Sequence, residues 1–108
     1  EVIKLQSART HNGVDLNLLL SMLGDRGIQE LLVEGGPETA RRFMKGRLLD
    51  RVIMIRTSDT FAKPIPLSIN HADLIGAGVQ LCEETTWGDD TIEMWSRPSI
   101  KWPSIHWP

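Results

Sequence analysis

The stretch LLVEGGPETARRF, residues 31–43, joins an apolar run to an acid, two glycines and a proline. The apolar run predicts a strand over residues 28–34 with a buried centre. Pro37 predicts the first residue of a helix, where its missing N–H costs nothing. A strand that turns directly into a helix is typical of α/β folds. Such a turn needs only one glycine and no acid, so the acid and both glycines are candidates for a function.

The rest of the chain predicts further helices and strands. Leucines at helical spacing indicate a first helix that Asp15 caps and that Gly24 or Gly27 ends, and the second helix ends at Gly46. The other predicted elements are strands over residues 1–5 and 48–57, a loop over 58–78, and a hairpin of 79–83 with 91–95. This order predicts an α/β fold whose mixed, mainly parallel sheet is flanked by helices and carries a C-terminal antiparallel hairpin.

The composition indicates a soluble chain of one small domain. It has 108 residues, of which 41% are hydrophobic and 24% charged. A formal charge of −2 and scattered basic residues argue against a nucleic-acid or anionic-membrane surface. No apolar run approaches the roughly 20 residues that span a membrane. Cys82 is the only cysteine, which excludes an intrachain disulfide and favours a reducing, cytoplasmic compartment.

The glycine turn allows two interpretations. Glycines let the backbone approach a ligand, and the first N–H groups of the following helix are unpaired, so the turn suits an anion such as phosphate. A plain strand-to-helix turn is the alternative, because the motif is neither a full G-x-G-x-x-G nor a Walker sequence. Glu34 is either an acceptor for a substrate hydroxyl or amine, or a structural anchor or salt-bridge partner.

Other polar and aromatic residues favour structural roles. Asp50 and Arg51 are interpreted as a loop pair at a strand start, and Asp89 and Asp90 as turn residues. Cys82 is predicted to be a small core residue. Residues expected on the surface, without the spacing of a metal site, are His11, His71 and His106. Residues expected in hairpin packing or a subunit contact are Trp87, Trp95, Trp102 and Trp107.

Three stretches resemble a known family. GIQELLVEGGPETARRFMKGRLLDRVIMIR, residues 27–56, looks like the reductase domain of the bifunctional riboflavin-biosynthesis deaminase/reductase, whose members carry a strand ending in V-E-G-G before a short helix. Within it, GRLLDRV matches the family's approach to the next strand. WGDDTIEMW, residues 87–95, resembles the family's terminal hairpin. The resemblance covers residues 1–98, the C-terminal portion of a reductase domain, and leaves a Trp/Pro-containing tail over 99–108.

The resemblance implies a dihydrofolate-reductase-like fold and an oxidoreductase. The reaction would be the NADPH-dependent reduction of 5-amino-6-(5-phosphoribosylamino)uracil to its ribitylamino form. Glu34 would bind the small-molecule substrate. No catalytic residue and no metal ligand is carried over. The residues implied to bind NADPH are Gly35, Gly36, Pro37, Glu38 and Thr39.

The chain also departs from the family pattern. The segment IRTSDTFAKPIPLSI replaces the family's proline-containing loop after LLDRV, and the first strands of the domain would lie upstream of Glu1. We therefore expect a cofactor-binding half that needs its N-terminal half, is poorly soluble alone, and forms a homodimer in the full protein. The alternatives are a non-catalytic binding or assembly module with the same fold, and a same-fold reductase of another pterin or pyrimidine.

Overall fold

The computed structural model describes residues 2, 4, 5, 13–60 and 62–100. The chain divides into two compact units, Glu1–Glu34 and Gly35–Pro108. Helix α1 lies in the first unit and spans Leu16–Asp25. The second unit contains helix α2 at Pro37–Lys45, strand β1 at Arg51–Arg56, helix α3 at His71–Gly76, strand β2 at Gln80–Trp87 and strand β3 at Asp90–Ser96.

Helix α1 begins where the sequence predicts. The Asp15 carboxylate accepts a hydrogen bond from the Leu18 N–H at 3.1 Å, which satisfies one of the unpaired donors of the first turn. The helix ends at Asp25. Gly27 follows with φ of 81°, the left-handed conformation in which glycine commonly ends a helix. The predicted helix and its cap are therefore confirmed.

The strand predicted over residues 28–34 does not form. Leu31 is 46% exposed and Leu32 is 75% exposed, so the expected buried centre is absent. A strand is stable only when neighbouring strands pair with its backbone groups. The described sheet contains β1, β2 and β3 and no pairing with this segment. Apolar side chains alone were therefore an insufficient signal for a strand.

The strand predicted over residues 1–5 has a similar outcome. Val2, Lys4 and Leu5 adopt no regular secondary structure. Glu1 and Ile3 lie outside the described residues, as do the predicted loop residues 6–12.

Strand β3 occupies the centre of a three-stranded sheet of order β1-β3-β2. Both pairings of β3 are antiparallel. The predicted mixture of helices and strands is confirmed, but the mainly parallel sheet is not found among the described strands. Residues 28–34 were the predicted parallel neighbour of β1. They form no strand, so the predicted parallel pair is absent.

Strands β2 and β3 form the predicted hairpin. Trp87 pairs with Asp90, which leaves Gly88 and Asp89 as the turn. Gly88 has φ of 59°, a left-handed conformation that short hairpin turns require and that glycine adopts without strain. The turn role predicted for Asp89 is confirmed.

A bulge interrupts β2. The strand has one residue more than β3 between Leu81 and Glu83, and that extra residue is Cys82. A bulge breaks the alternation of side chains between the two faces of a strand. Cys82 is exposed, so the core position predicted for it is wrong.

Helix α3 lies within the segment 58–78, which the sequence predicts to be mostly loop. Asn70 and Asp73 form a capping box, in which each side chain accepts a hydrogen bond of 2.9 Å from the other residue's backbone N–H. Leu74 of this helix is 1% exposed. The asparagine and the acid three residues later were the available signal for this helix.

The core of the second unit lies between the three-stranded sheet and helices α2 and α3. Trp95 of β3 is 2% exposed and packs within this core, which confirms hairpin packing for one of the four tryptophans. Trp87 is 71% exposed, and Trp102 and Trp107 lie outside the described residues. The buried members of the core are Met44, Met54, Leu74, Ala77, Val79 and Trp95.

Candidate functional site

The N-terminus of α2 exposes backbone donors. Gly36 is the N-cap residue and forms no side-chain cap bond. The first hydrogen bond of the helix runs from the Ala40 N–H to the Gly36 carbonyl oxygen at 3.2 Å. The N–H groups of Glu38 and Thr39 precede that bond and have no acceptor within the described chain, while Pro37 has no N–H. This helix end therefore offers two backbone donors and the positive end of the helix dipole to an anion.

The two glycines of the turn serve different purposes. A Cβ atom at Gly35 would lie 3.0 Å from the Cβ atom of Thr39, so a side chain at this position would force Thr39 to shift by a few tenths of an ångström. A Cβ atom at Gly36 would meet nothing within 4 Å, and its φ of −67° is ordinary. Nothing in the described protein requires glycine at position 36. The open space beside Gly36 is the space that a ligand at the helix end would need.

The two acidic residues nearest in sequence to this helix end are exposed. Glu38 lies in the first turn and is exposed, where its negative charge favours the helix dipole but opposes a bound anion. Glu34 is the last residue of the first unit and is also exposed. Gly35, Gly36, Pro37, Glu38 and Thr39 stand together at the beginning of the second unit.

A second polar cluster surrounds Glu93, which is only 3% exposed. Arg56 Nε donates to Glu93 Oε1 at 3.1 Å, and Trp95 Nε1 donates to Oε2 at 3.0 Å. His71 Nε2 lies 3.1 Å from both carboxylate oxygens. Burial alone would raise the pKa of Glu93, but the hydrogen bonds from Trp95, His71 and Arg56 and the charge of Arg56 outweigh it and hold the pKa below the ordinary value. Both oxygens of the buried Glu93 carboxylate therefore have hydrogen-bond partners within the protein.

Sequence reasoning missed the Glu93 cluster. His71 was expected on the surface, and its side chain is indeed 52% exposed, but its ring also lies 4.9 Å from the Trp95 ring. The available signal was Glu93 itself, an acid between Ile92 and Met94 in a strand. His11 and His106 lie outside the described residues.

Arg97, which follows β3, forms side-chain hydrogen bonds with the loop before β1. Its Nε and Nη2 atoms donate to the Leu49 carbonyl oxygen at 3.2 and 2.9 Å, and Nη2 also bonds to the Arg47 carbonyl oxygen. Asp50 Oδ1 lies 3.5 Å from Arg97 Nε. Asp50 therefore has the structural role at a strand start that the sequence predicts.

The described residues offer few other kinds of site. They contain no group of three or more His, Cys, Asp and Glu side chains placed to hold a metal ion. Every helix in the described part of the chain is too short or too polar to cross a bilayer.

Comparison with known proteins identifies a protein family. No curated protein matches the chain significantly. The profile of the RibD C-terminal domain matches residues 1–58, more than half of the 108 residues, and this segment includes α1, the glycine turn, α2 and β1. The profile describes the C-terminal, reductase-type domain of the riboflavin-biosynthesis deaminase/reductase. The chain belongs to the RibD C-terminal domain family.

Proposed function

We propose that this chain binds NADPH and forms the cofactor-binding part of the reductase that converts 5-amino-6-(5-phosphoribosylamino)uracil to its ribitylamino form. Membership of the RibD C-terminal domain family supports a reductase of riboflavin biosynthesis. One observation of the structure supports the binding of NADPH. The N-terminus of α2 combines two backbone donors without a described acceptor with open space at Gly36.

The residues at this helix end fit the phosphates of NADPH. The N–H groups of Glu38 and Thr39 would donate hydrogen bonds to phosphate oxygens, and the helix dipole would favour their negative charge. Gly36 would allow the phosphates to reach the backbone, and Pro37 would fix the direction of the first turn. Gly35, which has no side chain, lets the backbone pass close to Thr39 in the first turn of the helix.

Bound NADPH would supply the hydride, and the protein would contribute binding and orientation. Glu34 would accept a hydrogen bond from a hydroxyl or amine of the substrate and so hold it in place. Orientation of this kind is a large part of catalysis when the cofactor carries the chemistry. We assign only a positioning role to Glu34, and the proton that accompanies the hydride would come from solvent.

An assay of this chain together with the N-terminal half of its reductase domain, with NADPH and the phosphoribosylaminouracil substrate, tests this function. We expect NADPH oxidation that requires the substrate and yields the ribitylamino product. Glu34→Gln should raise KM for the substrate more than it changes the affinity for NADPH. Binding of NADPH without turnover by the assembled domain would instead support a non-catalytic binding module with the same ligand turn.

A further inference from the structure

Helices α2 and α3 border an open groove in the second unit. The groove has a volume of about 430 Å³, which lies within the range of small-molecule sites. Met44 and Ala77, both buried, and Ile69 form its apolar part. Ala72 and Gly76 of α3 also line it, and their small size leaves the space between the helices open.

Three cations line the same groove, namely Arg41, Lys45 and Arg47. Arg41 uses Nη2 to donate to the Leu67 carbonyl oxygen at 3.3 Å, which fixes its guanidinium and leaves its other N–H groups available. Lys45 is exposed, and its ammonium group has no hydrogen bond or ion pair among the described residues. The guanidinium of Arg47 lies against Gly78, with Nη2 3.0 Å from the position that a Cβ atom would take there.

The charge of the groove is opposite to that of the chain. Asp73 is the one carboxylate that lines it, and its Oδ2 atom already accepts a hydrogen bond from the Asn70 N–H at 2.9 Å. Three cations and one carboxylate leave the groove with a charge of +2, whereas the chain has a formal charge of −2. An anion that also presents an apolar face would be complementary to this surface.

We propose that the groove binds a nucleoside monophosphate. Arg41 and Lys45 receive the phosphate, because a guanidinium and an ammonium are the usual partners of phosphate oxygens. The flat base lies on the apolar side chains of Met44 and Ile69. The phosphate position proposed here lies beside Lys45, which follows Pro37 by eight residues and so lies about 12 Å from it along the helix axis. The variants Gly36→Asp and Lys45→Gln separate this site from the proposed cofactor site.

Titration of the chain with adenosine monophosphate, followed by isothermal calorimetry, tests the proposal. Lys45→Gln should weaken binding by about fivefold or more, since it removes a direct charge on the phosphate. Lys63→Gln removes the same charge from an exposed loop residue outside the groove and should change affinity by less than about twofold. Adenosine, which lacks the phosphate, should bind at least about tenfold more weakly than the monophosphate.

A second variant fills the groove without disturbing the fold. A Cβ atom at Gly76 would meet nothing within 4 Å, and leucine is a better helix former than glycine. Gly76→Leu should therefore keep or raise the midpoint of thermal unfolding and weaken adenosine monophosphate binding by about tenfold. Wild-type chain that does not bind the nucleotide, or binding that both groove variants leave unchanged, would overturn the proposal. Nucleotide binding that Gly36→Asp weakens as much as Lys45→Gln does would place the nucleotide at the cofactor site and overturn the proposal as well.

Discussion

His71 Nε2 lies 3.1 Å from both carboxylate oxygens of Glu93, so a single imidazole joins helix α3 to the central strand β3. Arg56 of β1 reaches Oε1 of the same carboxylate. Three elements of the second unit therefore meet at one buried acid. This connection is expected to contribute to the stability of the unit.

Replacement of Glu93 by glutamine should destabilise the second unit. The amide keeps the shape of the side chain but removes one acceptor and the negative charge, so one of the donors of Trp95, His71 and Arg56 loses its partner. We expect a loss of about 1–3 kcal/mol in the free energy of unfolding, measured by urea denaturation. Glu84 is exposed and pairs with Glu93 across the hairpin, so Glu84→Gln should stay within about 0.5 kcal/mol of wild type. Equal effects of the two substitutions would contradict this account.

The contribution of Glu93 should depend on pH. Its pKa is lower in the folded protein than the ordinary value of about 4.3. The stabilisation is therefore fully present above the ordinary pKa and is lost as the pH falls through the lower, folded value. Urea denaturation at a series of pH values should show the difference between wild type and Glu93→Gln shrinking from about pH 6 to about pH 2. A difference that stays constant over this range would show that the charge of Glu93 is not the cause.

The two glycines of the turn should respond in opposite ways to the same substitution. Gly35→Ser introduces a Cβ atom 3.0 Å from that of Thr39 and should cost about 1–3 kcal/mol of stability. Gly36→Ser places a preferred N-cap residue in open space and should be neutral or stabilising by a few tenths of a kcal/mol. Thermal unfolding followed by circular dichroism measures both. If the two serine variants unfold at the same temperature, the distinct roles of the glycines are wrong.

Helix α3 should contribute to the core through one residue. Leu74→Ala removes a side chain that is 1% exposed and should destabilise the protein by about 2–5 kcal/mol. Its neighbour Ile75 is 64% exposed, so Ile75→Ala should cost less than about 1 kcal/mol. The comparison uses urea denaturation of both variants. A loss at Ile75 as large as that at Leu74 would mean that α3 packs through a different face.

Features determined by neighbouring residues could be predicted from the sequence. Asp15 caps α1, Gly36 and Pro37 begin α2, and Gly88 makes the hairpin turn, because each depends on backbone preferences within a few positions. The same local information placed the candidate phosphate site at the beginning of α2.

Features that depend on distant parts of the chain could not be predicted in this way. Arg56 and His71 stand 37 and 22 residues from Glu93, and no local pattern shows that they meet. Apolar residues at 28–34 indicated a strand, but a strand also needs a partner that the pattern does not reveal. The bulge that exposes Cys82 likewise becomes visible only when β2 is paired with β3.

We propose that the N-terminus of α2 binds the phosphates of NADPH. Gly36→Asp tests it most directly, because aspartate is a better N-cap than glycine, while its carboxylate would occupy the proposed phosphate position. Gly24→Asp, in α1, adds the same charge where a Cβ atom also meets nothing within 4 Å. In a titration with NADPH followed by tryptophan fluorescence, we predict that Gly36→Asp loses at least about tenfold in affinity without a loss of stability, and that Gly24→Asp binds like wild type. Equal NADPH affinity of Gly36→Asp and wild type would contradict the claim.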